Sequence, residues 1–310
     1  MADHIHKQTR GWLLPYLLGL DPMFTGRWSY WLEICETLKL PDEPIPQVHF
    51  MNSPADVSHW PPILAGDAKD AKRLFSIANR LDEQPEKHIQ RILRRQVEKA
   101  GRWYDDAWLD FSHWLLHGFG VRGMDKLVDA ISEDVRNFWY TDFNLAYLMA
   151  VPTDWPAYIL QCGPRWMGNG KAKWSQSTAF FSTPMNICYF MTEMTFATTN
   201  EDSRAKTVCD PCVGTGSMLL QASNHSLRLY GVDIVQELVW QTMLNGYLWM
   251  PWMVFSPPGI DEMFAALSPE ITGIPVPSWP TTELVTEPEA VAVLQAHRQA
   301  QYDQAHFLFD

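Results

Sequence analysis

The segment Thr207–Ala222, TVCDPCVGTGSMLLQA, has the makings of a strand that ends in a ligand-binding turn. Val208 and Cys209 can close a buried strand, and Asp210-Pro211 follow at its end. Gly214 and Gly216 permit a tight turn in which the main chain approaches a ligand closely, and Ser217 to Ala222 opens a helix. Strand, glycine turn and helix together let backbone N–H groups meet an anionic group. The pattern is not the dinucleotide G-x-G-x-x-G, because position 219 is Leu, and it is not a Walker A loop, because no Gly-Lys-Ser/Thr follows.

A second element follows at once. Leu227–Val232 (LRLYGV) reads as the next strand, with Asp233 at its end. A carboxylate there can accept hydrogen bonds from the two ribose hydroxyls of an adenosyl group; its other reading is an ordinary exposed Asp after a strand. A third element lies upstream in Phe180–Met191, FFSTPMNICYFM, where Thr183-Pro184 precede a helix with Ile187, Phe190 and Met191 at apolar spacing. Thr183 is expected to cap that helix and Pro184 to occupy its first turn.

Together, F-S-T-P, D-P-C-V-G-T-G and Y-G-V-D resemble the cofactor half of adenine-N6-specific DNA methyltransferases. The likeness is strongest to modification subunits of type I restriction systems and to phage-type DNA methylases. It extends over about residues 150–260, with Trp155–Met167 resembling the lead-in of phage-type members. The resemblance implies an α/β, Rossmann-like methyltransferase sheet that binds S-adenosyl-L-methionine. It assigns Phe181, Thr183 and Pro184 to a segment beside the cofactor. Asp210, Pro211, Gly214, Thr215 and Gly216 form the turn around the methionine end, and Asp233 holds the ribose.

The family's amine-orienting element is Asn/Asp/Ser-Pro-Pro-aromatic, whose polar side chain and a proline carbonyl receive the adenine amine while the ring stacks on a flipped-out base. This chain offers Ser256-Pro257-Pro258-Gly259 after the apolar run Trp252–Phe255, and the resemblance makes Ser256, Pro257 and Pro258 the catalytic residues. Gly259 cannot stack, although Phe255 or Phe264 could substitute. Only 22 residues separate Asp233 from Ser256, enough for a helix (about 236–248) and one strand. Ser256-Pro257-Pro258 is thus either a trimmed catalytic loop or a turn that looks like one. Cys209 and Cys212 have C-x-x-C spacing, but no second Cys/His pair follows at zinc spacing, so no metal is expected. Asn245 and Trp249, after Asp233, read as packing residues.

The elements that must position these groups divide the chain into an α-helical N-terminal domain (1–150), a Pro- and Gly-punctuated connector (151–177), the cofactor module (178–260) and an acidic tail (261–310) with a helix expected at 287–305. Residues 11–20 and 28–38 suit short helices and Pro41–Pro46 a loop. Asp67–Lys99 is helical in pattern, broken at Pro85, and Trp108, Phe111 and Leu115 continue the theme. Leu127, Ile131, Val135 and Phe138 form a further stripe, of the kind that usually faces a core. Arg91, Arg94 and Arg95 share one helical face, either solvated or contacting phosphates.

With 46% apolar and 19% charged residues the chain can bury a core. The 15 tryptophans are core anchors or, in the sharper reading, stacking surfaces for bases or a partner protein. A net charge of −12 argues against a simple nucleic-acid binder, though it leaves room for a local basic face. Five cysteines in a sparse, odd set fit a reducing cytoplasm, and no apolar run reaches bilayer length. The expected activity is methylation of adenine in DNA, with DNA met by the N-terminal helices or by a partner subunit. A catalytically impaired scaffold or sensor subunit of a larger complex is the alternative, and methylation of RNA or protein a third reading.

Overall fold

A computed structural model of the chain describes residues 10–54, 85–166, 180–197 and 202–267. The expected helix at 287–305, the stretch 67–84, residues 167–177 of the expected connector, and the tail after Leu267 lie outside the described residues.

The first half is helical, as its periodicity indicates. The helices are α1 Leu14–Phe24, α2 Arg27–Thr37, α3 Pro85–Ala100, α4 Tyr104–Gly118, α5 Asp125–Asp129, α6 Glu133–Asp142, α7 Ala146–Met149 and α8 Trp155–Trp166. Pro85 opens α3, where its missing N–H costs nothing. Ile89, Ile92 and Leu93 point inward from α3, while Arg91 and Arg94 face solvent. Arg95 lies over the Phe138 ring at 4.4 Å, so the basic face is not uniformly solvated. The stripe from Leu127 to Phe138 is split between α5 and α6 rather than forming one helix.

Five buried tryptophans act as anchors that also satisfy their N–H groups. Trp28 donates to Tyr247 O (2.8 Å), Trp31 to Phe255 O (2.6 Å), Trp139 to Ile92 O (3.2 Å) and Trp155 to Leu148 O (2.9 Å). Trp108 donates to Gln241 Oε1 at 2.9 Å, and Gln241 donates on to Ser112 Oγ at 2.9 Å. Among the tryptophans whose side chains are described, only Trp103 is largely exposed. The core-anchor reading of this composition therefore accounts for most of them.

The second half supplies α9 Met185–Phe196, β1 Thr207–Asp210, α10 Ser217–Ala222, β2 Arg228–Gly231, α11 Gln236–Trp249, α12 Pro251–Val254 and α13 Ile260–Leu267. Strands β1 and β2 are parallel, with Thr207 opposite Arg228 and Asp210 opposite Gly231, and α10 is the crossover between them. The wider Rossmann-like sheet implied by the resemblance is not seen: among the described residues the sheet has these two strands. The strand expected before Ser256 is instead the helical turn α12. Pro251 suits the first helical position, and Pro257-Pro258 lack the N–H donors that a ladder requires. Strand β1 is also less buried than expected, with Cys209 exposed.

A single hydrophobic cluster runs from Leu13 to Phe264, so packing continues across residues 150 and 178. Much of the expected connector is helix α8, with Trp155, Ile159 and Leu160 fully buried. Arg27 is one of the ties between the halves. Its side chain is wholly buried and donates to Pro46 O (2.9 Å), Ser223 Oγ (2.7 Å), Trp249 O (3.0 Å) and Asn224 Oδ1. Burial lowers its pKa to about 9, with the Asp21 carboxylate acting the other way. Asp21 in turn accepts from Trp28 N (3.1 Å) and Ser29 N (3.0 Å), satisfying orphan donors at the start of α2.

Candidate cofactor site

The glycine turn forms where the sequence places it. Gly214 and Gly216 have φ of +56° and +93°, conformations that side chains on L-residues rarely adopt. A Cβ on Gly216 would stand 3.1 Å from Thr242 Cγ2, so both backbone shape and room call for glycine. The turn is tied to β2 by Val213 N donating to Val232 O (2.9 Å), and it closes on itself through Gly216 N to Val213 O (2.8 Å). Asp210 stabilises its entry by accepting from Cys212 N at 3.0 Å, an Asx turn, while Pro211 is exposed.

Asp233 stands beside this turn. Its Oδ2 accepts from Gly214 N at 3.0 Å and its Oδ1 from Val235 N at 2.9 Å. A carboxylate has about four acceptor sites, so both oxygens retain capacity for hydroxyl donors. Ile234, the next residue, is fully exposed and offers an apolar surface at the carboxylate's flank. Val232 on the other side is exposed as well.

The F-S-T-P segment also reaches the turn. Ser182 Oγ lies 3.1 Å from Ser217 Oγ. The ring on the turn belongs to Phe180, however: it is buried, and its Cε2 lies 3.2 Å from where a Gly214 Cβ would be. Phe181, the expected residue, is 85% exposed. Thr183 does not cap α9; its carbonyl accepts from Cys188 Sγ at 3.6 Å, and Pro184 occupies the cap position with no side-chain cap bond. Ile187, Phe190 and Met191 face solvent, and Met185, Cys188 and Thr192 form the inward face of α9.

Two residues that sequence alone assigns to the connector and to packing prove to hold the turn. Asp154, at the entry to α8, is buried and accepts from Thr215 Oγ1 (2.6 Å) and Ser217 Oγ (2.5 Å). Asn245 Nδ2 donates both to Asp154 Oδ1 (2.9 Å) and to Thr215 O (2.8 Å). Thr242 Oγ1 donates to Gly214 O at 2.8 Å. Desolvation raises the Asp154 pKa above the ordinary carboxylate value, and the bonds from Ser217, Thr215, Ala157 and Asn245 oppose that rise. The available signal was a lone Asn within the otherwise apolar Met243–Trp249 stretch and an Asp immediately before Trp155-Pro156.

Among the described residues no hydrogen bond joins Ser256, Pro257 or Pro258 to this turn. The glycine turn and Asp233 lie at the C-terminal edge of β1 and β2. Helix α11 passes the turn at Thr242 and Asn245 and ends at Trp249, about 6 Å further along its axis. The Trp249 carbonyl and Ser223 Oγ both accept from Arg27. The turn α12 then advances only about 6 Å. Beyond α12, a Cβ on Gly259 would lie 3.0 Å from Leu38 Cδ1, and Phe264 sits under Arg228, the first residue of β2, at 5.3 Å. Arg204, just before β1, binds Pro41 O (2.6 Å) and Glu43 O (2.9 Å) in the loop after Leu38. Ser256 is partly buried in this arrangement.

In comparison with known proteins, residues 169–248 match the family model described as N-6 DNA Methylase. The matched stretch holds F-S-T-P, the glycine turn and Asp233, and it ends before Ser256. The likeness read from those three motifs is thus found independently over the same part of the chain. No curated protein and no solved structure matches the chain.

Proposed function

We propose, from the similarity of residues 169–248 to the N-6 DNA methylases, that this chain binds S-adenosyl-L-methionine and serves methyl transfer to the exocyclic amine of adenine in DNA. The observation that carries the reading is the Gly214 N to Asp233 Oδ2 bond, which sets the turn and the acid side by side at one end of a parallel strand pair. The donor set fits the cofactor. Asp233 would receive the ribose hydroxyls, Ile234 would cover the purine ring, and the Val213–Gly216 backbone would take the methionine end. Phe181, Thr183 and Pro184 would flank it, with Asp210 and Pro211 shaping the approach.

When bound, the cofactor supplies a methyl group on a sulfonium, a leaving group that needs no acid. The chain's contribution is then alignment: a rigid turn and a fixed carboxylate hold the methyl group in one place, and rate comes from presenting an amine to it in line. Orientation of that amine is the role of Ser256 and the Pro257 carbonyl in the family likeness. Gly259, which cannot stack on a base where the family has an aromatic ring, favours a second reading, in which the chain is a cofactor-binding scaffold or sensor and another subunit presents the base. A partner, or the N-terminal helices with Arg91 and Arg94, would contact DNA. A setting in a restriction-modification-like system, in the cytoplasm, belongs to the same proposal.

The test is transfer of labelled methyl from S-adenosylmethionine to unmethylated mixed-sequence DNA, with the modified base identified by mass spectrometry. Methyladenine that is lost in a Ser256→Ala, Pro257→Ala variant supports the enzyme reading. Cofactor binding without transfer supports the scaffold reading. Neither binding nor transfer would refute both.

A further inference from the structure

Asp154 carries more hydrogen bonds than its place in a linking segment requires. Its carboxyl is fully buried among donors from two remote parts of the chain and from the start of its own helix, and no cation among the described residues contributes. Oδ2 takes the hydroxyls of Thr215 and Ser217, the residues on either side of the left-handed Gly216. Oδ1 takes Asn245 Nδ2 and Ala157 N, both at 2.9 Å. Asn245 completes a closed loop of bonds by donating to Thr215 O. Burying a carboxyl without an ion partner is costly, and satisfying it only with neutral donors makes the site sensitive to the loss of any one. Every donor except Ala157 N belongs to the turn or to the helix behind it. The chain thus clamps the turn from beneath through Asp154 while Asp233 holds it from the ligand side.

We infer that Asp154 is a positioning residue for cofactor binding: with Asn245 it fixes Thr215, Gly216 and Ser217 in the shape that faces Asp233. The inference rests on the reading of this turn as the cofactor site. It separates two functions within one short loop. The main chain of the turn is left to meet a ligand, and its two hydroxyls are turned inward to the clamp, which makes Thr215 and Ser217 structural donors and not ligand contacts.

The experiment compares the wild type with Asp154→Asn, Thr215→Val and Thr215→Ser. S-adenosylmethionine affinity is measured by calorimetry, and amide hydrogen exchange of 213–217 is measured on the ligand-free protein. Asp154→Asn replaces one of the two accepting oxygens with an NH2 group, so one pair of donors loses its acceptor, and Thr215→Val removes one hydroxyl at constant shape. Each is expected to weaken binding by about tenfold or more, the size of one lost buried hydrogen bond. Thr215→Ser, which keeps the hydroxyl, is expected to bind like the wild type. Exchange at 213–217 should rise in the two disruptive variants while exchange in α4 stays unchanged, which general destabilisation would not produce. If Asp154→Asn does not fold, the Thr215 pair carries the test. Unchanged affinity and unchanged exchange in a wild type and variants that all bind cofactor would overturn the clamp. A wild type that binds no S-adenosylmethionine would overturn the cofactor reading instead, and the exchange measurement would still decide whether Asp154 holds the turn.

Discussion

Replacing Asp233 with alanine should cost affinity and stability together, in proportions the structure sets. In the free protein the carboxylate accepts from Gly214 N and Val235 N. Bonds to a charged group contribute about 1.5–3 kcal/mol each, and the lower end applies here because the side chain is only partly buried and water replaces it. Two such bonds make a loss of up to about 3 kcal/mol of stability, lowering Tm by up to roughly 6–12 °C at about 2–4 °C per kcal/mol. The bound state loses more, because two ribose hydroxyls also lose their acceptor. At about 1.5 kcal/mol each, the dissociation constant for S-adenosylmethionine should rise about a hundredfold. Calorimetric titration at a temperature where both proteins are fully folded measures the second effect apart from the first. Asp233→Asn, which keeps one acceptor oxygen, should fall between the two. A variant whose Tm drops while its cofactor affinity stays within about twofold of wild type would show that Asp233 only braces the turn, and the ribose assignment would fail.

Three further outcomes are expected. Gly216→Ala must hold φ at +93° and bring a Cβ within 3.1 Å of Thr242, whose hydroxyl supports Gly214 O. It should lower cofactor affinity about tenfold through about 1–2 kcal/mol of turn strain, measured in the same titration. Arg27→Met leaves Pro46 O and Trp249 O without their donor, and urea denaturation should show about 3 kcal/mol or more of lost stability. His88 is buried against Tyr147 at 4.0 Å, accepts from Asn144 N, and burial lowers its pKa to about 3. A histidine held neutral in the fold contributes stability that is present above its ordinary pKa and is lost as pH falls below that value, until the folded pKa is reached. Denaturation curves between pH 6 and 4 should therefore show up to about 1.4 kcal/mol lost per unit from this residue, with His88→Gln giving a shallower slope.

The glycine turn was legible because its physics is local. Two glycines after a strand, and an acid at the end of the next strand, fix their own relation within a β-α-β unit whose handedness and direction admit little choice. Asp154 and Asn245 were not legible, since their partnership spans 91 positions and neither residue type is unusual alone. The strand expected before Ser256 was not legible for a different reason. An apolar run such as Trp252–Phe255 suits a strand or a helical turn equally well by periodicity, and packing makes it the helical turn α12. Helix α9 shows the same limit. The spacing of Ile187, Phe190 and Met191 groups them on one side of the helix, but only tertiary packing decides that this side faces solvent.

The central claim is that Gly214–Gly216 and Asp233 form an S-adenosylmethionine site, and a crystal structure of the chain soaked with S-adenosylhomocysteine tests it most directly. The account predicts the ribose on the Asp233 carboxylate, the purine over Ile234 and the amino-acid end along the Val213–Gly216 backbone. Ligand density elsewhere on the chain, or a turn left empty at a concentration that saturates binding in solution, would contradict it.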